Sequence, residues 1–218
     1  MHKKLILLPV LFAMAGPMHG CKSAYYGTME AFGVHKRDIL VDRVETARDK
    51  QEDAKEEFTS ALDEFRSVVE FEEGSDLEDM YKKLNRSYER SQSAANSVED
   101  KIDSVESVAA SLFREWEGEL EEYSDPSLKR ASQEQLDETR DRYETMVAAM
   151  RRAEASMQPV LDALKDQVLF LKHNLNAQAI ASIQGTAAGI QDDVAELIEE
   201  METSIAEANA FIEQMGGE

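Results

Sequence analysis

The chain has 218 residues, enough for one domain or two small ones, of which 42% are hydrophobic and 32% charged. Glycine (10) and proline (4) are sparse, a composition of long helices or coiled coil rather than of a disordered acidic chain. The formal charge of −21 repels nucleic acid and disfavours broad contact with anionic lipid heads, and it favours basic partners or divalent cations.

Residues 1–20 read as an export signal. "MHKK" is a short positive segment, and "LILLPVLFAMAG" is an apolar run too short for a membrane-spanning helix, which needs ~20 residues. Two cleavage sites compete. "MHGC" (18–21) resembles a bacterial lipobox: Gly20 and Cys21 match, Met18 replaces the usual Leu, and His19 fits poorly. Cleavage there would leave Cys21 carrying diacylglycerol. "AMA" (13–15) suits ordinary signal peptidase and would release a chain beginning at Gly16. Cys21 is the only cysteine, so no intramolecular disulfide is available to it. Lys22 follows it, where an Asp would mark inner-membrane retention; the lipobox reading therefore points to the outer membrane, facing the periplasm. The alternative location is soluble periplasmic. On the lipobox reading residues 21–34 form a lipidated Cys and tether, and 35–218 a helical bundle.

From residue 40 the chain is written in heptads. The first helix, about 35–71, places Leu40, Val44, Ala47, Gln51, Ala54, Phe58, Ala61, Phe65 and Val68 on one face in unbroken 4,3 alternation. It opens on a small basic island, "HKRDILVDR", whose Lys36, Arg37 and Arg43 are candidate contacts to anionic headgroups; the competing reading pairs them with Asp38, Asp42 and acids on the adjoining helix. Gly74 suits the end of this helix, and Ser75 with Glu78 reads as a capping box for the next.

The second helix, about 75–123, carries Leu77, Tyr81, Leu84, Tyr88, Ser91, Ala95, Val98, Ile102, Val105, Ala109, Leu112, Trp116, Glu119 and Tyr123 on its stripe. Asp125 then offers an N-cap and Pro126 a first helical residue. The third helix, about 126–172, carries Leu136, Thr139, Tyr143, Met146, Met150, Ala153, Met157, Val160, Leu164, Val168 and Leu171, with Pro159 expected to kink it. Asn174 and Asn176 suit a turn, although Leu171, Leu175, Ala179 and Ile183 could continue one stripe. The fourth helix, about 177–215, carries Ile183, Ala187, Ile190, Val194, Leu197, Met201, Ser204, Ala208, Phe211 and Met215. Four helices of matched length predict an all-α fold: a long antiparallel four-helix bundle with coiled-coil heptad packing.

Chemistry is sparse along this chain. His35 and His173 fall at opposite ends of such a bundle, so no His pair or metal cluster is expected within one chain. No GxxxxGK[ST] loop is present. No catalytic residue, metal or cofactor is expected, and the chain does not read as an enzyme. After Lys172 there is no Lys or Arg. Asp192, Asp193, Glu196, Glu199 and Glu200 then form a candidate acidic face, read either as a solvated surface or as a dock for a basic partner or divalent cations. Residues 174–191 carry no Asp, Glu, Lys or Arg, and Gly185 and Gly189 have the small-xxx-small spacing of closely packed helices; a self-association patch, and so a homo-oligomer, is one reading. Gln51, Ser91, Glu119 and Thr139 place polar groups on core stripes, as devices that set register do.

Three stretches, "EAFGVHKRDILVDRVE", "SLFREWEGEL" and "FLKHNLNAQAIAS", resemble an uncharacterised bacterial envelope lipoprotein family known only as a domain of unknown function. The resemblance implies a Gram-negative, envelope-associated, all-helical protein and carries over no catalytic residue. The expected role is structural or interactive: a lipid-anchored periplasmic bundle held at the membrane through Cys21, with a protein partner.

Overall fold

A long apolar stripe needs partners, and in a computed structural model of the chain the stripes cover one another. Residues 35–70 and 76–216 are described. They form α1 (Lys36–Val69), α2 (Leu77–Leu120), α3 (Pro126–His173), α4 (Ala177–Gln184) and α5 (Ala187–Gly216), with no strand among the described residues. α1 packs on α2 and α5, and α3 packs on the same two helices. Contacting residues run in opposite order along neighbouring helices. Lys36, at the start of α1, meets Glu115 near the end of α2, while Glu57 meets Arg90. Arg37 meets the Met215 carbonyl at the end of α5, while Gln51 meets Ser204.

The helix ends follow local chemistry. Asp76 caps α2 by accepting from the N–H groups of Glu78 and Asp79 at 2.9 and 3.2 Å. A carboxylate there satisfies two orphan donors at the positive end of the helix dipole. Gly74 and Ser75, read as helix end and capping residue, lie outside the described residues. Asp125 caps α3 from Ser127 N–H at 2.7 Å, with Pro126 in the first turn. The helix runs unbroken through Pro159, which is exposed, as is Ala155, whose carbonyl loses its intrahelical donor there. α3 stops at His173: the Asn174 side chain donates to the Phe170 carbonyl, and Asn176 accepts from Ala179 N–H to open α4.

Residues 177–215, read as one helix, form two. The α-helical hydrogen-bond ladder breaks at Gly185–Thr186, where both the backbone N–H and the hydroxyl of Thr186 donate to the Ile183 carbonyl. Gln184 ties this break to the end of α1 through the Val69 carbonyl at 2.8 Å.

The core lies where the stripes meet. All nine stripe residues of the first helix are buried, as are all ten of the fourth segment. Phe58 and Phe65 are wholly buried, each contributing on the order of 2–3 kcal/mol of transfer free energy. On α3 only Tyr143 falls short, at half-burial. The stripe of α2 departs more. Ser87 is buried where Tyr88 was expected, and beyond Ala109 the buried face moves to Phe113 and Leu120. Leu112 and Trp116 are half-buried, and Glu119 and Tyr123 are exposed. A helix of 3.6 residues per turn drifts by ~20° per heptad, so a strict 4,3 pattern over a long helix leaves the core unless the helix supercoils tightly. The adjacent apolar pair Leu112–Phe113 lets the face shift by one residue. Phe113 then meets the Tyr143 ring edge-on at 5.3 Å, with the Arg140 guanidinium 5.1 Å from its own centroid. Trp116 sits at the rim, donating to Ser132 at 2.8 Å.

Candidate functional site

The basic island at the start of α1 is drawn into the helical unit. Lys36 pairs with Glu115, and its side chain is only 10% exposed. Arg37 donates to the Met215 carbonyl at the last turn of α5, where the helix dipole favours a cation. Arg43 pairs with its neighbour Asp42 at 3.0 Å. His35 is exposed just before α1, and His173 is exposed in the last turn of α3. Lys36 and Arg37 thus join α1 to the ends of α2 and α5.

The acidic residues of α5 face outward. Asp192, Asp193, Glu196 and Glu199 are exposed, and Glu200 is half-buried, accepting from the Ser156 hydroxyl of α3. Glu196, Glu199 and Glu200 line a groove of about 300 Å³ together with Ala149, Arg152 and Thr203. The groove brings three carboxylates to one guanidinium along the α3–α5 seam. Asp192 and Asp193 stand beyond its lining. A larger open groove of about 700 Å³ follows the α1–α2 seam, with charges of both signs from Lys55, Glu56, Asp63, Glu64 and Lys83.

The densest charge cluster was not singled out from the sequence. Arg151 on α3 reaches Asp103 at 2.5 Å and Glu106 at 2.7 Å on α2, and Glu154 on its own helix at 2.7 Å. The hydrogen bond to Glu106, first, and those to Asp103 and Glu154 hold the guanidinium well above its ordinary pKa, against a smaller desolvation effect. Tyr143 stands near this cluster. Burial, reinforced by Glu106 and opposed by Arg151, pushes its hydroxyl up to about 12. The α2 partners of Arg151 lie 45–48 residues away in sequence, so no local spacing announces them. The only signal is three acids and one base at core-flanking positions of two predicted neighbours.

The polar core layer is built from α1 and α5. Gln51 Oε1 accepts from the Ser204 hydroxyl at 2.9 Å, both residues wholly buried. Gln51 Nε2 has no hydrogen-bond partner among the described residues. Ser91 is likewise buried, donating to the Glu57 carbonyl, and Thr139 donates to the Gln135 carbonyl. These bonds join helices or stay within one.

Cys21 lies outside the described residues. Among the described residues no helix is long and apolar enough to cross a membrane, and no group of three or more His, Cys, Asp or Glu is placed to hold a metal ion.

No curated protein matches this chain. The family model described as "Protein of unknown function (DUF2959)" matches residues 25–215, which takes in all of α1 to α4 and α5 to its last turn. The chain therefore belongs to this family of proteins of unknown function.

Proposed function

We propose that the protein is a lipid-anchored antiparallel four-helix bundle of the Gram-negative envelope, held at the outer membrane through Cys21 and facing the periplasm, with a structural or protein-interaction role rather than an enzymatic one. The anchor half of this reading rests on "MHGC" following a short positive segment and an apolar run. The bundle half is supported by the opposed order of contacts of α1 with α2 and α5 and of α2 with α3, and by stripes that bury one another. The observation that carries the interaction role is the segregation of charge. Basic residues of α1, α2 and α3 are engaged in ion pairs between helices, while α5 presents Asp192, Asp193, Glu196 and Glu199 outward with no Lys or Arg after Lys172. Such a face attracts a basic partner surface. Affinity purification from cross-linked envelopes tests it: D192N/D193N/E196Q/E199Q should lose the co-purifying partners that the unaltered chain retains. Equal recovery of the same partners by both would remove the acidic face from the account.

A second reading, an acidic module for divalent cations, rests on the formal charge of −21 alone, since no group of three acids among the described residues is placed to hold a metal ion. Calorimetry with Ca²⁺ and Mg²⁺ decides it, since absence of binding heat removes this reading and leaves the first intact.

A further inference from the structure

The long helices are not tied to one another equally. Ion pairs of 2.5–2.8 Å join α1 to α2 through Lys36–Glu115 and Glu57–Arg90, and α2 to α3 through Glu117–Arg140 and the Arg151 cluster. The tie from α1 to α5 through Lys55–Glu202 is long, at 3.9 Å, with the Glu202 side chain 63% exposed. Among the described residues no ion pair joins α5 to α3, although Arg152 shares a groove with Glu196, Glu199 and Glu200. What holds α5 down is its apolar stripe, buried from Ile190 to Met215.

Three features oppose that stripe. Every charged residue of α5 is an acid. Asp192–Glu196, Asp193–Glu196, Glu196–Glu199, Glu196–Glu200 and Glu199–Glu202 place like charges three or four residues apart, each weakening the helix by roughly 1.5- to 2-fold. At the α1–α5 contact, Gln51 is wholly buried and its Nε2 has no partner among the described residues, a cost that water removes once α5 leaves. The helix ladder is already broken at Gly185–Thr186, where both residues are exposed. Just before that break, Gln184 is held to the Val69 carbonyl at 2.8 Å, and Ala179, Ile180 and Ile183 are buried. The boundary between a fixed α4 and a movable α5 therefore lies in the chain itself.

We propose that α5 is a strap that opens as one unit about Gly185–Thr186 while α1, α2 and α3 stay folded, and that ionic strength sets how often it opens. The remaining three helices stay joined because α2 packs on both α1 and α3, with the short ion pairs across those two seams. Opening uncovers the apolar faces of α1 and α3 that α5 covers. Units of this kind open below the free energy of global unfolding when they are terminal and weakly tied. Salt screens the carboxylates of α5 from one another and closes the strap. The proposal does not depend on the anchor or on a partner.

Native-state hydrogen exchange of the full chain, read peptide by peptide in a mass spectrometer, tests this. At low ionic strength the amides from Val194 to Phe211 should exchange through one common opening, about tenfold or more ahead of those in the middle of α1, α2 and α3. Peptides covering Ala179 to Ile183 should keep the protection of α1. Raising the ionic strength from about 10 mM to 1 M shortens the screening length from ~30 to ~3 Å. That change should make the opening of α5 rarer by about tenfold, the combined effect of the five like-charge pairs. E196Q/E199Q removes all five pairs at two exposed positions. At 10 mM it should already show the protection that the unaltered chain reaches at 1 M, and salt should add little more. Exchange of α5 only together with α1, α2 and α3 would overturn the proposal. So would a gradient of protection fraying from Gly216, or an opening that ignores both salt and E196Q/E199Q. The measurement uses neither membrane nor partner, so its failure leaves the anchor and interaction readings untouched.

Discussion

Gln51→Met isolates the energetics of the buried polar layer. Gln51 is wholly buried, and only its Oε1 is engaged, by the Ser204 hydroxyl at 2.9 Å. Turning the amide over does not help, because Ser204 has one hydroxyl to offer and either Nε2 or Oε1 stays unpaired. A buried polar group without a partner costs ~1–3 kcal/mol, whereas the hydrogen bond that is made contributes ~0.5–1.5 kcal/mol net. Methionine matches the length of glutamine and carries no donor, and Ser204 can turn its hydroxyl to the carbonyl of Glu200, four residues back. The substitution should therefore stabilise the fold by about 1–2 kcal/mol, raising the melting temperature by ~2–8 °C at this chain length. Ser204→Ala should do the reverse, costing about 1–2 kcal/mol, since it leaves the whole amide of Gln51 unpaired. Urea denaturation of the full chain, followed by helical circular dichroism, measures both, and the double variant should recover the stability of Gln51→Met. A loss of more than ~1 kcal/mol in Gln51→Met would refute the reasoning, showing that Nε2 is satisfied in solution. A stabilising result would imply that the polar pair is kept for register between α1 and α5 rather than for stability.

Two further outcomes follow from the α2–α3 charge cluster. Arg151→Met keeps the aliphatic stem but leaves Asp103, Glu106 and Glu154 facing one another; it should cost about 1–2 kcal/mol in dilute buffer and less at high salt, by urea titration at two ionic strengths. The Tyr143 hydroxyl holds its proton more tightly in the fold than in the unfolded chain, with its pKa pushed up to about 12. Its contribution is complete below the unfolded value of ~10 and is lost as pH rises through about 12. Tyr143→Phe should flatten the alkaline limb of a stability–pH profile between those limits, and an unchanged limb would contradict the burial of that hydroxyl.

Much of the core was legible because on α1, α3 and the α4–α5 segment the 4,3 stripe, Tyr143 apart, stays buried from end to end, and adjacent pairs such as Ile39–Leu40 and Val160–Leu161 widen that face without moving it. α2 was harder because Leu112 and Phe113 are adjacent. The periodic pattern accepts either, and the drift of a 3.6-residue helix together with the Tyr143 ring opposite selects Phe113. The break at Gly185–Thr186 was hidden for the opposite reason. Ile183, Ala187 and Ile190 stay on one face across it, so the apolar pattern records no interruption. The Arg151 cluster and the Gln51–Ser204 pair join residues distant in sequence, and charge or polarity at one position does not name its partner. The openness of Gly189 shows why its spacing misled: small-xxx-small predicts a close approach, but the approach within this chain does not occur there.

The central claim, that Cys21 fastens this helical unit to a membrane, is tested most directly by the intact mass and N-terminal peptide of the mature protein. The account predicts a chain beginning at Cys21, its sulfur carrying diacylglycerol and its amino group acylated. An unmodified chain beginning at Gly16, with Cys21 a free thiol, would contradict it.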